Sequence, residues 1–244
     1  YIMDMVEGRI LWDVTLSDYA KEDRWPIFEA QVKTIAHLHS LDYEAIGLGD
    51  YGKPGNYFER QIGRWTKQYI ASETQKVDNM DKLMAWLPGQ IPQDDATSIV
   101  HGDFRLDNMV LHPTKPEVSA VLDWELSTLG HPLGDFTYHL MQWHMPSIKT
   151  MVTASLAGRD LGELGIPTAE QYIRMYCEAV GRDGIENIDF YLAFNMFRLA
   201  AILQGIVGRV RDGTASSAHA GEMEKNIPPL ADVGWAFAQK AGAI

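Results

Sequence analysis

The sequence predicts an α+β fold that is mainly helical and carries a small β-hairpin near its centre. Apolar residues recur at helical spacing along most of the chain, as at Phe28, Val32 and Ile35. Apart from the opening segment, short β-type runs are confined to residues 98–122. The chain has 244 residues, of which 46% are apolar and 22% charged, which is ordinary for a folded globular protein with a sizeable core.

Composition excludes several classes of protein. The chain carries 21 basic and 33 acidic residues and a net charge of −12, so neither nucleic acid nor an anionic membrane surface is an expected partner. No uninterrupted apolar run reaches the roughly 18 residues of a membrane span, and we expect no signal peptide, since no basic segment followed by an apolar one stands at the start of the given sequence. Cys177, the single cysteine, excludes an intrachain disulfide and a zinc site built from several thiolates. We expect a cytoplasmic protein and leave its oligomeric state open.

The first third of the chain is expected to be one strand followed by helices. Residues 1–6 read as a strand already under way, and residues 27–41 have apolar positions on one helical face. Asn56 is a candidate cap for a second helix, and a short third helix is expected to end at Pro88. The loop at 47–53 matches two phosphate-binding patterns, but a helix precedes it, so we interpret it as a flexible surface loop.

The middle of the chain predicts strands, and the rest predicts helices. Three β-type runs at 98–100, 109–111 and 118–122 include a hairpin whose turn is rich in proline. Helical spacing then returns, and Pro228 and Pro229 are expected to break or kink the last helix. The expected later helices are 133–143, 168–180, 189–211 and 219–241.

The central stretch 99–136 carries the residues best suited to chemistry. Asp103 and Asn108 lie in the loop after the first β-type run, and Asp123 follows the third. A carboxylate on a loop can accept a proton from a hydroxyl, and amide and carboxylate oxygens are ligands that Mg²⁺ prefers. Arg105 adds a fixed positive charge. A base, two metal ligands and a cation are the components that phosphoryl transfer requires.

Two other interpretations of these residues stay open. Asp and Asn also form the turns of β-hairpins, which would explain any one of the residues taken alone. A zinc site using His101 and Asp103 is a further possibility, although the other histidines lack the helical spacing of zinc ligands. The complete ordered set between two apolar strands favours phosphoryl transfer over both.

Two short patterns in this stretch match a known family. Residues 101–108 read His-Gly-Asp with Asn five positions after the Asp, and residues 123–125 read Asp-Trp-Glu. They resemble the catalytic loop and metal-binding segment of the aminoglycoside phosphotransferase and choline kinase group, which has the protein-kinase-like fold. Residues 134–136, Gly-Asp-Phe, are similar to a helix-starting segment of that group. Arg105 stands where protein kinases have Lys, which keeps the charge but changes its reach.

The resemblance implies a role for each of these residues. Asp103 is the expected catalytic base, and Arg105 is expected to stabilise the transferred phosphoryl group. The cofactors implied are ATP and Mg²⁺, with Asn108 and Asp123 as the metal ligands. Supporting roles are expected for His101, Glu125 and Asp135. The expected adenine contacts are the backbone groups of Met3, Asp4 and Met5.

The same resemblance predicts how the chain is organised. Residues 1–8 are similar to the hinge strand that leaves the N-terminal lobe of such kinases, and residues 9–244 are similar to the helical C-terminal lobe. The N-terminal lobe is then expected to be absent from this chain, and the chain alone to be inactive. The substrate side is assigned to helices within 56–87 and 168–241. Residues 197–205 resemble the subgroup that includes the kinase-like domain of acyl-CoA dehydrogenase family members 10 and 11.

The function expected from residues and resemblance together is phosphorylation of a hydroxyl group on a small molecule. The acceptor is either aminoglycoside-like, which the acidic composition favours, or of hydroxyacyl type, which the subgroup resemblance favours. Two alternatives remain: a non-catalytic nucleotide-binding protein of the same fold, and an unrelated metal-dependent hydrolase.

Overall fold

The computed structural model describes residues 4–146, 155–214 and 223–244. Helices make up most of the described chain, and the strands are short and central. The helices are α1 (Lys21–Ser40), α2 (Tyr57–Ser72), α3 (Asp78–Trp86), α4 (Pro132–Leu140), α5 (Leu161–Leu164), α6 (Ala169–Val180), α7 (Ile188–Arg211) and α8 (Ile227–Lys240). The strands are β1 (Ser98–Val100), β2 (Met109–Leu111), β3 (Val118–Val121) and β4 (Thr128–Gly130).

The strands form two antiparallel pairs, and the site lies between them. In the hairpin of β2 and β3, Met109 pairs with Val121; in the other pair, Val100 of β1 lies opposite Thr128 of β4. The chain leaves β1 to reach β2 and leaves β3 to reach β4, so the loops 101–108 and 122–127 run side by side. The predicted hairpin is confirmed. The strand β4 was missed because Thr128, Leu129 and Gly130 include only one large apolar residue and end in glycine, so they do not form an apolar β-type run.

The core is built around α7. Nearly all of α7 is buried, and it packs against α2, α4 and α8. By length and composition α7 could cross a membrane, but 89% of its most apolar window is buried inside the fold. That burial is typical of a central helix in a globular core, where a helix is apolar on every side. The α4 helix packs between α7 and the loop after β1, which fixes the loop to the core.

The start of α1 differs from the prediction, and the break expected in the last helix is present. The α1 helix begins at Lys21 rather than at Ile27. The first turns were not predicted to be helical because they are mostly polar and carry no apolar period. The helix predicted at 219–241 is broken before Pro228 and Pro229, as expected: residues 225–226 form a turn between the helical residues 223–224 and α8. The two prolines occupy the first turn of α8. There the backbone N–H groups have no acceptor within the helix, so proline costs little. The first residues of the predicted helix, 219–222, lie outside the described residues.

The opening strand predicted at 1–6 is not present over residues 4–6, which have no regular secondary structure. Residues 1–3 lie outside the described range. Among the described residues, pairing begins only at Arg9, which exchanges two backbone hydrogen bonds with Leu111. A strand forms only where a neighbour accepts its hydrogen bonds, so an apolar run alone was an insufficient signal. Asn56 precedes α2 but makes no capping hydrogen bond through its side chain, contrary to expectation.

Candidate active site

Asp135 braces the loop that follows β1. It lies in the first turn of α4, is fully buried, and accepts hydrogen bonds from the backbone N–H groups of His101 (2.7 Å) and Gly102 (2.8 Å). His39 of α1 lies 3.2 Å from the same carboxylate. Burial alone would raise the pKa of Asp135, but His39 and the two N–H groups hold it below its ordinary value. A charged carboxylate therefore anchors the loop to the core.

His101 joins the two loops. Its Nδ1 accepts from the Asp103 backbone N–H at 3.2 Å, which leaves Nε2 as the donor to the Leu122 carbonyl at 2.8 Å. The ring is fully buried and packs against Trp124, with centroids 4.9 Å apart. The loop carrying Asp103 is thereby held against the segment carrying Asp123.

Asn108 holds Asp103 within its own loop. The Asn108 amide donates from Nδ2 to the Asp103 carbonyl at 2.9 Å and to the Asp103 carboxylate at 3.2 Å. Its side-chain oxygen accepts no hydrogen bond from a described residue. The backbone carbonyl of Asn108 accepts from the Leu122 N–H at 2.8 Å, so Asn108 lies at the end of the hairpin, beside Asp123.

Asp123 and Glu125 present free carboxylates on the facing loop. Asp123 has φ +63°, a left-handed conformation that Asp tolerates better than most residues. Both residues are exposed, and neither forms a hydrogen bond or ion pair with another described residue. Together with the free oxygen of Asn108 they supply hard oxygen ligands, a donor set that fits Mg²⁺.

Arg105 is held between two carboxylates. Its Nη2 lies 2.5 Å from Asp107, and its Nε lies 3.5 Å from Asp103. Burial would lower the pKa of Arg105, but Asp103, Tyr138 and Asp107 raise it. The guanidinium is therefore a permanent positive charge beside the carboxylate of Asp103.

Two residues that complete this site, Tyr138 and Arg198, were not assigned to it from the sequence. Tyr138 is buried beside Asp103; burial first, and then the charge of Asp103, raises the Tyr138 pKa. Arg198 of α7 is also buried, donates to the Gly102 carbonyl and lies 4.7 Å from the centre of the Tyr138 ring. No local pattern marks either residue, because only tertiary packing places α4 and α7 under the loop. An arginine in the apolar run 197–205 was the one available signal.

Of the expected adenine contacts, the described residues Asp4 and Met5 form no hydrogen bond with the residues of this site. Met3 lies outside the described residues. Asp4 and Met5 are exposed, and neither forms a hydrogen bond or ion pair with another described residue. The structure brings together the other predicted residues, which are His101, Asp103, Arg105, Asn108, Asp123, Glu125 and Asp135.

This chain is similar in sequence to a protein family and to part of several larger proteins. The sequence profile of the phosphotransferase enzyme family matches residues 1–179. Acyl-CoA dehydrogenase family member 10 of Mus musculus is 44% identical over 242 residues, which are 99% of this chain and 22% of that protein. Member 11 of Homo sapiens is 39% identical over 236 residues, covering 96% and 30%. The chain thus spans between a fifth and a third of the length of these curated relatives.

Solved structures extend the likeness to the whole described fold. A candidate aminoglycoside phosphotransferase from Ralstonia eutropha JMP134 superposes with a TM-score of 0.93 at 55% identity, covering 98% of this chain and 73% of that one. A choline kinase from Cryptosporidium parvum Iowa II shares the fold at a TM-score of 0.62 and 8% identity, covering 97% and 71%. With its protein-kinase-like α+β fold, the chain belongs to the phosphotransferase enzyme family.

Proposed function

We propose that this chain carries the acceptor base and metal ligands of an ATP- and Mg²⁺-dependent phosphotransferase that acts on a hydroxyl group of a small molecule. One observation carries the proposal. His101 and the Asn108–Leu122 backbone bond hold the loops of Asp103 and Asp123 side by side, with the carboxylate of Asp123 unpaired. Phosphoryl transfer depends mostly on positioning and on electrostatic stabilisation, and this arrangement serves both.

Asp103 is the base in this proposal. Its carboxylate accepts the proton of the acceptor hydroxyl as the oxygen attacks the phosphoryl group. Asn108 donates a hydrogen bond to this carboxylate and so limits its rotation. Arg105, kept charged by Asp107, supplies positive charge next to the position where the transferred phosphoryl group passes.

Asn108 and Asp123 would hold Mg²⁺, with Glu125 as a further oxygen donor. When bound, the ion neutralises charge on the nucleotide phosphates and orients them. The chain's own contribution is a preformed pair of ligands, because the loops are fixed to each other before any ion binds. Contact of adenine with the backbone at Met3, Asp4 and Met5 remains part of the proposal and rests on family membership alone.

A small apolar cavity next to Arg105 favours a hydroxyacyl-type acceptor over an aminoglycoside. Its lining includes Leu106, Tyr138, Met141, Met145 and Leu199, and no carboxylate. A polycation such as an aminoglycoside needs acidic partners, which this lining lacks. The cavity encloses about 30 Å³, which suits the end of an alkyl chain better than a sugar ring. Methionine side chains are flexible and can adapt to such a chain.

The test is a transfer assay of the full-length protein with ATP and Mg²⁺ on short hydroxy acids, their thioesters and a panel of aminoglycosides, with mass spectrometry of the products. We expect a phosphorylated hydroxyacyl product that the Asp103→Asn variant does not form. Nucleotide binding without transfer to any acceptor would favour the non-catalytic alternative. Hydrolysis that needs a metal but no nucleotide would favour the hydrolase. Phosphorylated aminoglycosides would contradict the choice of acceptor but not the phosphotransferase.

A further inference from the structure

A groove lined by basic residues lies along α2, outside the site described above. Its cations are Lys53, Arg60, Arg64 and Lys67, and the groove has a volume of about 700 Å³. We refer to it as the basic groove. Asn56, Glu59 and Gly63 complete its lining.

The basic groove is positively charged, whereas the rest of the protein is negatively charged. Four cations and Glu59 give the groove +3, while the whole chain carries −12, so the remainder carries −15. Acidic side chains are therefore abundant, and six of the chain's 21 basic residues form described ion pairs with one. The described ion pairs of lysine and arginine involve Lys33, Lys76, Arg105, Lys115, Arg182 and Arg211. The four cations of the basic groove are absent from these pairs.

The cations are aligned along one face of α2, and Arg60 is held in place by backbone carbonyls. Arg60, Arg64 and Lys67 follow i, i+4 and i+7, so they share one face of α2. Arg60 donates to the carbonyls of Gly55 and Lys53, which folds the preceding loop back and brings Lys53 to the same face. Like charges at this spacing destabilise a helix, and an anion bound between them would remove that cost.

The groove is open at its centre and presents planar guanidinium groups. A Cβ atom added at Gly63 would meet no atom within 4 Å, so the floor between the cations is unfilled. Arg64 lies over the ring of Trp65, with its central carbon 5.1 Å from the centroid, which restrains its side chain. Arginine binds phosphate in a bidentate manner, and several cations in a row match several phosphate groups in a row.

The basic groove is anchored near the catalytic segment but is distinct from it. Gly52 packs so closely on β4 that an added Cβ would lie 2.3 Å from the Thr128 hydroxyl oxygen. The loop carrying Lys53 is thus fixed on the outer side of β4, whereas the residues of the candidate active site lie in loops 101–108 and 122–127.

We propose that the basic groove binds the oligophosphate portion of a small soluble molecule. The probe is inorganic tripolyphosphate, titrated calorimetrically into the purified protein in the presence of a chelator, so that the Mg²⁺-dependent site does not contribute. We expect saturable binding that weakens as ionic strength rises. Changing Arg64→Glu together with Lys67→Glu should weaken binding about tenfold or more, since two charge-assisted contacts are lost.

A matched control distinguishes binding at the basic groove from a general effect of the protein's net charge. Lys33→Glu with Arg174→Glu also replaces one Lys and one Arg on exposed helix faces and also lowers the net charge from −12 to −16. We expect this control to keep its affinity within about twofold. The neutral pair Arg64→Gln with Lys67→Gln should also weaken binding, and thermal unfolding of each variant verifies folding.

Three results would overturn the proposal. One is no binding of tripolyphosphate by the native protein, and another is an equal loss in the groove variant and the control. The third is much tighter binding of single-stranded RNA, an acidic peptide or anionic vesicles through the same residues, which would make the groove a macromolecular surface. None of these results depends on phosphotransfer activity, so the two proposals fail independently.

Discussion

His101 joins the loop of Asp103 to the residue before Asp123, because its Nε2 donates to the Leu122 carbonyl at 2.8 Å. The other ring nitrogen is occupied by the Asp103 backbone N–H. The side chain is fully buried, so both hydrogen bonds form away from water, where an unmade bond is costly. One imidazole therefore sets the relative position of the proposed base and the proposed metal ligand.

Replacing His101 should lower the turnover of the full-length protein. His101→Phe keeps a ring in the core but loses both hydrogen bonds, and we expect kcat to fall about 10²-fold through misplacement of Asp103. Steady-state kinetics measure this, with His112→Phe at the far turn of the hairpin as the control. Equal kcat in the two variants would contradict the proposed coupling.

Asp103→Asn should abolish turnover while nucleotide affinity changes little. The amide is nearly the same size but cannot accept the proton, and loss of a general base typically costs about 10²–10⁴-fold in rate. Turnover and nucleotide titrations on the same preparation check both halves. Turnover within about threefold of the native rate would exclude Asp103 as the base.

Asp123→Gly should weaken binding of Mg²⁺ with a non-hydrolysable ATP analogue. Glycine is preferred to alanine because Asp123 has φ +63°, where alanine would add backbone strain. Calorimetric titration compares this variant with Glu117→Ala, an exposed carboxylate at the other end of the hairpin. If both variants bind as the native protein does, Asp123 is a turn residue and not a ligand.

Gly102→Ala should destabilise the protein more than Gly181→Ala. Both glycines have positive φ, +84° and +72°, so both substitutions carry a backbone cost of about 1–2 kcal/mol. Only at Gly102 would the added Cβ also meet the Leu126 carbonyl oxygen, at 2.7 Å, whereas at Gly181 nothing lies within 4 Å. Urea unfolding gives the free energy of unfolding of each variant. Equal values would show that the loop at Gly102 accommodates the added Cβ without loss of stability.

Stability should fall between neutral and mildly acidic pH through His139. Burial lowers the pKa of His139 to about 4, with its ring between the Phe104 carbonyl and the Tyr172 hydroxyl. The unfolded chain titrates near 6.5 and so binds more protons in this window, and folding weakens as pH falls from about 6.5 to about 4. From pH 7.5 to 5 we expect His139 alone to contribute a loss of about 2 kcal/mol in the free energy of unfolding.

His139→Gln provides the comparison for that pH dependence. The variant should lose less stability over the same pH interval, whatever its stability at pH 7.5. Urea unfolding at both pH values gives the difference. An identical pH dependence in the two proteins would mean that His139 does not titrate as its burial requires.

The secondary-structure elements predicted correctly are those that a pattern of neighbouring residues specifies. The hairpin of β2 and β3 was predicted because two apolar runs flank a turn rich in proline. The helices α6 and α7 were predicted nearly to the residue, since their apolar period begins and ends with the helix. Residues 4–6 were predicted wrongly, because strand formation needs a partner that an isolated run does not specify.

The sequence by itself determined which residues are candidates for the chemistry of the site. Asp103, Asn108 and Asp123 stand in an order and spacing that predict a base and two oxygen ligands, and the adjoining strand signals place them on loops. Family membership follows from the same residues, because the motif is local and its parts are close along the chain.

Only the tertiary structure decided which distant groups complete the site. His39 reaches Asp135 from 96 residues away, and Arg198 reaches Gly102 from the same separation along the chain. Such contacts arise when helices pack by burying apolar faces, and burial depends on the whole core rather than on any local pattern. The basic groove has the same origin, since hydrogen bonds from Arg60 bring Lys53 to the face of α2.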